Sequence, residues 1–263
     1  LPPLTHIPPG NHPFVLPASD SEALATDKKI NKNLFVFGTL IPFSIIVLPI
    51  ILVMLQHHLS CIIILGTIGI SLIILSGVGV KYLSAFMGCG ALGVLYIAFF
   101  TDYTKQRITV WQNPEAYKLT GGWQTLQGLM AIGTGGFFGV GYGKSILKHC
   151  YVSEPANDMI FAILCEELGF VGALLVIILF AALILRGVKI ALGASDTYSR
   201  LLTLGITVKM ATQVLLNVAV VTNTIPNTGI SLPFFSYGGS SLVMLFFEMG
   251  IILSISRFAK IQK

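Results

Sequence analysis

The residues able to do chemistry crowd into one polar stretch, 101–158, which runs TDYTKQRITVWQNPEAYKLTGGWQTLQGLMAIGTGGFFGVGYGKSILKHCYVSEPAND. It holds five of the sixteen basic residues, four of the eleven acids, both tryptophans and six glycines between positions 133 and 143. Asp158 closes it, directly before an apolar run. A carboxylate at such a water–lipid boundary, tuned by partial burial and nearby cations, can act as a general base. The same position also suits a helix cap, in which Asn157 or Asp158 satisfies the first free N–H groups and the helix dipole. Arg107, Lys144 and Lys148 supply cations that fit either a phosphorylated ligand or anionic lipid headgroups.

The glycine run 133–143 leads into Lys144-Ser145 and invites a phosphate-loop reading. A Walker A loop needs a glycine five positions before the one preceding its lysine, and Phe138 stands there. The glycines instead suit close approach of the backbone to a ligand or a neighbouring helix. The four cysteines, Cys61, Cys89, Cys150 and Cys165, form no CxxC pair, and His57 and His58 lack a partner at ligand spacing. No metal-ligand set emerges.

A second group of polar residues interrupts apolar segments. Glu166 and Glu167 lie two turns into the run after Asp158, and Lys209, Gln213 and Asn217 recur every four residues on one helical face. Such a stripe forms interhelical hydrogen bonds or lines a cavity. Lys209 has two candidate acid partners, Glu248 and Glu166. Between Asn223 and Ser241 the chain reads NTIPNTGISLPFFSYGGSS, too rich in Pro and Gly for a straight helix. Non-helical backbone at membrane depth survives only where protein or a wet cavity buries it, so a re-entrant or lid-like hairpin is expected.

What positions these residues is a membrane. Hydrophobic residues make up 54% of the 263, charged residues only 10%, and mean hydropathy is +0.85. Soluble domains carry roughly 25% charge. Six apolar runs predict six spans near 34–55, 59–80, 83–100, 159–185, 201–221 and 242–255, the last starting near Ser236. The fold class expected is all-α, a polytopic membrane helical bundle over 31–263. Residues 1–30 hold six prolines and read as an atypical or disordered segment without the pattern of a signal peptide. Lys28, Lys29, Lys32, Lys81, Arg186, Lys189, Arg200, Arg257, Lys260 and Lys263 gather on one side of the spans, which makes that side cytoplasmic. The 101–158 loop then faces outward. The net charge of +5 follows this topology and is no nucleic-acid signature. Within the loop, Trp123, Leu126, Leu129 and Met130 share one arc opposite Gln124 and Gly128, as in a short helix lying in the interface or packed on the spans.

Three blocks of residues resemble the SEDS family (shape, elongation, division and sporulation; FtsW, RodA and SpoVE). They are QRITVWQNP with GGWQTLQGLMAIGTGGFFG, then GVGYGKSILKHCYVSEPANDMIFAILCEELGFVGA, then PNTGISLPFFSYGGSS with MGIILSISR. The resemblance covers 34–263 and is closer to the FtsW/SpoVE branch. Departures are Val152-Ser153-Glu154 where the family has Leu-Pro-Glu, Ala156 for its His or Gln, Gln56-His57 for its Gln-Pro, and Lys209.

The resemblance implies a ten-span fold of which this chain holds the last six. It also implies a peptidoglycan glycosyltransferase that polymerises lipid II in the bacterial cytoplasmic membrane, working with a class B penicillin-binding protein. The family's essential aspartate falls on Asp158, expected to deprotonate the acceptor sugar hydroxyl. Substrate-binding positions fall on Arg107, Lys148 and Glu154, with Lys144, Gln127, Asn217, Ser236 and Ser240 as further candidates. A divalent cation, Mg or Mn, is the one cofactor expected. Two other functions keep a place, a lipid II flippase and a non-catalytic scaffold of the division machinery.

Overall fold

The computed structural model describes residues 41–56, 59–75, 88, 102–119, 121–147 and 157–259. The N-terminal segment 1–30, the expected third span 83–100 apart from Gly88, His57, His58, Lys148 and Glu154 lie outside them. The chain divides into two compact units, Leu1–Ile45 and Ile46–Lys263, and all that follows concerns the second.

Every regular element among the described residues is helical. In chain order they are α1 (Ile41–Leu55), α2 (Leu59–Leu75), α3 (Asp102–Gln112), a 3-10 turn (Pro114–Tyr117), α4 (Gly122–Gly135), α5 (Ile160–Leu192), α6 (Thr197–Val221) and α7 (Gly239–Ser256). Three of them, α5, α6 and α7, are long and apolar enough to cross a membrane. The protein is membrane-embedded, and its surface says so. Leu175, Leu179, Leu185, Val243, Phe246 and Leu253 are all more than half exposed, while Thr203, Thr207 and Asn217 are sealed inside. With lipid outside, apolar side chains gain nothing by turning inward, so small and polar residues take the helix contacts. Gly187 shows this: a Cβ there would stand 2.5 Å from Thr207 Oγ1 on α6.

The spans differ from the expected ones at their ends. α5 continues seven residues past the expected end at Leu185, since Arg186 and Lys189 in its last turns can carry their charges to the boundary on long stems. α6 starts at Thr197, capped by Asp196, whose carboxylate accepts the Ser199 N–H at 2.8 Å. That backbone bond holds the Asp196 carboxyl below its ordinary range.

α5 breaks at Gly169, where φ is +66° and ψ is −168°. From Phe170 to its end the helix runs about 34 Å at 1.5 Å per residue, close to the roughly 30 Å of a bilayer's hydrocarbon core. Burial changes at the same place. Residues 161–167 are all wrapped by protein, whereas Phe170, Leu174, Leu175 and Ile178 are open. Glu166 and Glu167 thus sit in a protein-clad collar before the lipid-facing part of the span.

The break receives the glycine turn. Val140 and Gly141 donate to the carbonyls of Glu166 and Glu167 at 2.9 and 3.0 Å, and Phe170 and Val171 donate back to those of Gly136 and Phe137 at 2.9 and 3.2 Å. The approach is as close as backbone allows: a Cβ on Gly135 would lie 2.0 Å from the Cys165 carbonyl oxygen, and one on Gly139 2.1 Å from that of Glu167. The partner of the glycines is therefore a neighbouring helix. Ser145 Oγ and the Ile146 N–H both donate to the Glu166 carboxylate, which closes the turn.

α4 packs along the start of α5 with Gly122, Thr125, Gln127, Gly128 and Ala131 buried. Trp123 and Met130, on the apolar arc, face outward. The small-residue face seats the helix and the apolar face is left for the interface.

Lys209 pairs with Glu248 across α6 and α7, which leaves Glu166 to the glycine turn. Side-chain exposures of 29% and 14% place the pair away from bulk water. Glu248→Gln alone is expected to destabilise the protein by about 1–3 kcal/mol, since it leaves a partly buried cation unpaired, and Lys209→Met with Glu248→Met by less. Thermal unfolding across this double-mutant cycle measures the coupling, and additive costs would show that the pair contributes none.

Candidate functional site

The segment 223–236, between α6 and α7, is a hub for hydrogen bonds from α3 and α4. It leaves α6 through Asn223, whose φ of +54° turns the chain, and Ile230, Leu232 and Pro233 are buried. This is the expected non-helical hairpin held down by protein. Three side chains, on two helices, grip it from the loop side. Trp111 Nε1 on α3 donates to the Asn223 carbonyl at 2.9 Å. Arg107 Nη1, one turn earlier on α3, donates to the Asn227 carbonyl. Gln124 Oε1 on α4 accepts from Asn227 Nδ2 at 2.8 Å. A cavity of about 210 Å³ opens between them, lined by Gln106, Arg107, Trp111, Gln124, Thr125 and Asn227, among others.

Asp158 reaches the same hairpin at Gly229. Its half-buried carboxylate lies against Gly229, where a Cβ would stand only 3.3 Å from Oδ2. Gly229 has φ of +69°, and its N–H donates to Asn227 Oδ1 at 3.2 Å. The Arg107 guanidinium and the Asp158 carboxylate thus meet positions 227 and 229, which about 7 Å of extended chain separates. The cap residue of α5 is Met159, one place beyond Asp158, and it makes no side-chain cap bond. The helix starts without Asp158 in that position.

Two of the expected substrate contacts are buried in this structure. Asn217 is 0% exposed and its amide nitrogen is bonded to the carbonyls of Asp158, at 2.9 Å, and Ile230, at 2.6 Å. Gln127 is 6% exposed on the packed face of α4. Both face protein because in this fold polar and small residues make the contacts between helices. Ser236 accepts from the Leu232 N–H and donates to the Asn157 carbonyl, both at 2.7 Å. Ser240 is exposed in the first turn of α7, and Lys144 is exposed on the glycine turn. The reading from sequence missed Asn227, Gln124 and Gly229. The Asn-Thr-Gly turn was the available signal, since a glycine after such a pair suits a positive φ.

Among the described residues, no three His, Cys, Asp or Glu side chains gather in one place; an Mg or Mn ion held by one or two carboxylates and a substrate pyrophosphate needs no such cluster.

A model of the FTSW_RODA_SPOVE family, described as cell cycle protein, matches residues 16–261. The chain belongs to that family. Among relatives of this FtsW/RodA/SpoVE chain, stage V sporulation protein E of Bacillus subtilis is 39% identical over 236 residues, which cover 89% of this chain and 64% of that protein. The probable peptidoglycan glycosyltransferase FtsW of Geobacter sulfurreducens is 36% identical over 236 residues, 89% of this chain and 63% of that one. A chain from a solved peptidoglycan synthase complex shares the fold, with a TM-score of 0.64 at 24% identity over 84% of this chain and 62% of its own. This FtsW/RodA/SpoVE chain spans a little under two-thirds of the length of these curated relatives.

Proposed function

We propose that the protein is a peptidoglycan glycosyltransferase that polymerises lipid II, the undecaprenyl-pyrophosphate-linked disaccharide peptide, in division or sporulation. One observation supports the reading: the Asp158 carboxylate and the Arg107 guanidinium reach the same short hairpin, 227–229. Asp158 takes the proton from the acceptor sugar hydroxyl, whose oxygen attacks the donor's anomeric carbon. That carbon's bond to the pyrophosphate oxygen breaks, and the lipid pyrophosphate leaves as an anion. Arg107, beside the 210 Å³ cavity, stabilises the departing charge. The cleaved bond to pyrophosphate supplies the driving force, so no nucleotide is consumed. A polymer that must be cross-linked calls for a class B penicillin-binding protein as partner. The loop 101–158 faces the outside of the cytoplasmic membrane, in keeping with the basic residues of the opposite side.

The test gives purified lipid II to the full chain and its partner in liposomes and resolves the products by length. Glycan strands are expected. In Arg107→Ala, kcat/KM for lipid II should fall about 10- to 100-fold, the worth of a hydrogen bond to a charged group. Lipid II crossing the bilayer without polymer would instead mark a transporter, and neither activity with partner binding intact would mark a scaffold.

A further inference from the structure

We propose that Asn217, with Ser236, is a positioning residue of the reaction: together they fix the backbone of Asp158 so that its carboxylate meets the acceptor hydroxyl. This rests on the reading of Asp158 as general base. The argument is one of peptide planes. The Asn157 carbonyl belongs to the planar unit before the Asp158 Cα and the Asp158 carbonyl to the unit after it. Ser236 Oγ holds the first at 2.7 Å and Asn217 Nδ2 the second at 2.9 Å. With both planes tied, φ and ψ of Asp158 are set, and only its side chain can still turn. Gly229 bounds that rotation from the hairpin side.

Both ties lead to the same hairpin. Asn217 also bonds the Ile230 carbonyl, and Ser236 also accepts from Leu232. Aspartate and hairpin are thereby indexed to one rigid point on α6, and through Asn227 to Arg107.

Stability alone does not account for Asn217. Its Oδ1 is buried without a hydrogen-bond partner, and a stranded acceptor costs about what two backbone hydrogen bonds return. The amide is close to neutral for folding, and what remains is geometry.

The test compares the full chain with Asn217→Asp, which keeps the shape but loses the donors, and with Ser236→Ala, which removes the other tie at little change in volume. Labelling of Asp158 by a water-soluble carbodiimide, read by mass spectrometry, should become several-fold faster in both variants, with Asp196 unchanged as internal control. In the polymerisation assay kcat should fall on the order of 10²-fold, as for a misplaced catalytic group, with KM unchanged. Wild-type labelling of Asp158 in folded Ser236→Ala and Asn217→Asp overturns the proposal. So does a loss of kcat that only follows the folded fraction. Full turnover by Asp158→Asn would remove the general-base role instead, and the labelling comparison would still decide whether the ties hold Asp158.

Discussion

Asp158→Ala is expected to lower kcat for glycan polymerisation by about 10²–10⁴-fold, the usual worth of a positioned general base. The folded protein should be retained, because the residue is only half-buried and the ties from Asn217 and Ser236 reach its backbone and its neighbour's, not its side chain. Asp158→Asn should lose as much, since it keeps the shape without the basicity. The diagnostic is the pH–rate profile. In the wild type, acid protonates the carboxylate and the rate falls. In the alanine variant the residual rate has no such acid limb. A rate within threefold of wild type, or an unchanged acid limb, would move the proton transfer to another group.

The largest expected effect on stability comes from a glycine that no chemistry uses. Gly135→Ala ought to stabilise an ordinary helix, as alanine is the better helix former by about 1 kcal/mol. Here its Cβ would stand 2.0 Å from the Cys165 carbonyl oxygen and 2.9 Å from the Glu166 Cα. Neither backbone atom can step aside, so α4 must lift from α5 and the reciprocal bonds around Gly136 and Val140 must stretch. A cost of about 3 kcal/mol or more is expected, at the upper end for overpacking. Gly133, in the same helix, has nothing within 4 Å of a Cβ, and Gly133→Ala should stabilise by about 0.5–1 kcal/mol. Thermal unfolding in detergent resolves the two. Shifts of the same sign would show that the close approach does not hold α4 in place.

Much of this was readable from residue order, and the exceptions share a cause. Apolar runs bounded by charge located the three long spans α5, α6 and α7, and the density of Pro and Gly after Asn223 announced the hairpin. The need of the glycine run for close contact was legible, but not its partner, because the carbonyls of 165–167 lie some thirty residues on. Lys209 had two acids to choose from, and only the packing of α6 on α7 selects Glu248 over Glu166. α4 was legible as a helix that lies in the interface or on the spans. Helical period alone does not say which face is seated, and lipid reverses the rule water would impose, so the glycine face is packed and Trp123 looks out. Asn217 and Gln127 invited a substrate role as polar residues near a site. Whether a polar side chain serves the ligand or the backbone depends on where its hydrogen bonds end, which spacing does not encode.

The splice between the glycine turn and the broken α5 is made by main-chain hydrogen bonds in both directions and closed by Ser145 and Ile146 on the Glu166 carboxylate. Whatever tilts the upper part of that span must carry α4 with it as one stiff lever, and so move the floor under Gln124 and the hairpin. The aromatic groups of Phe138 and Tyr142, which are exposed beside the joint, can therefore be exchanged to suit bilayers of different thickness while the joint itself stays shut.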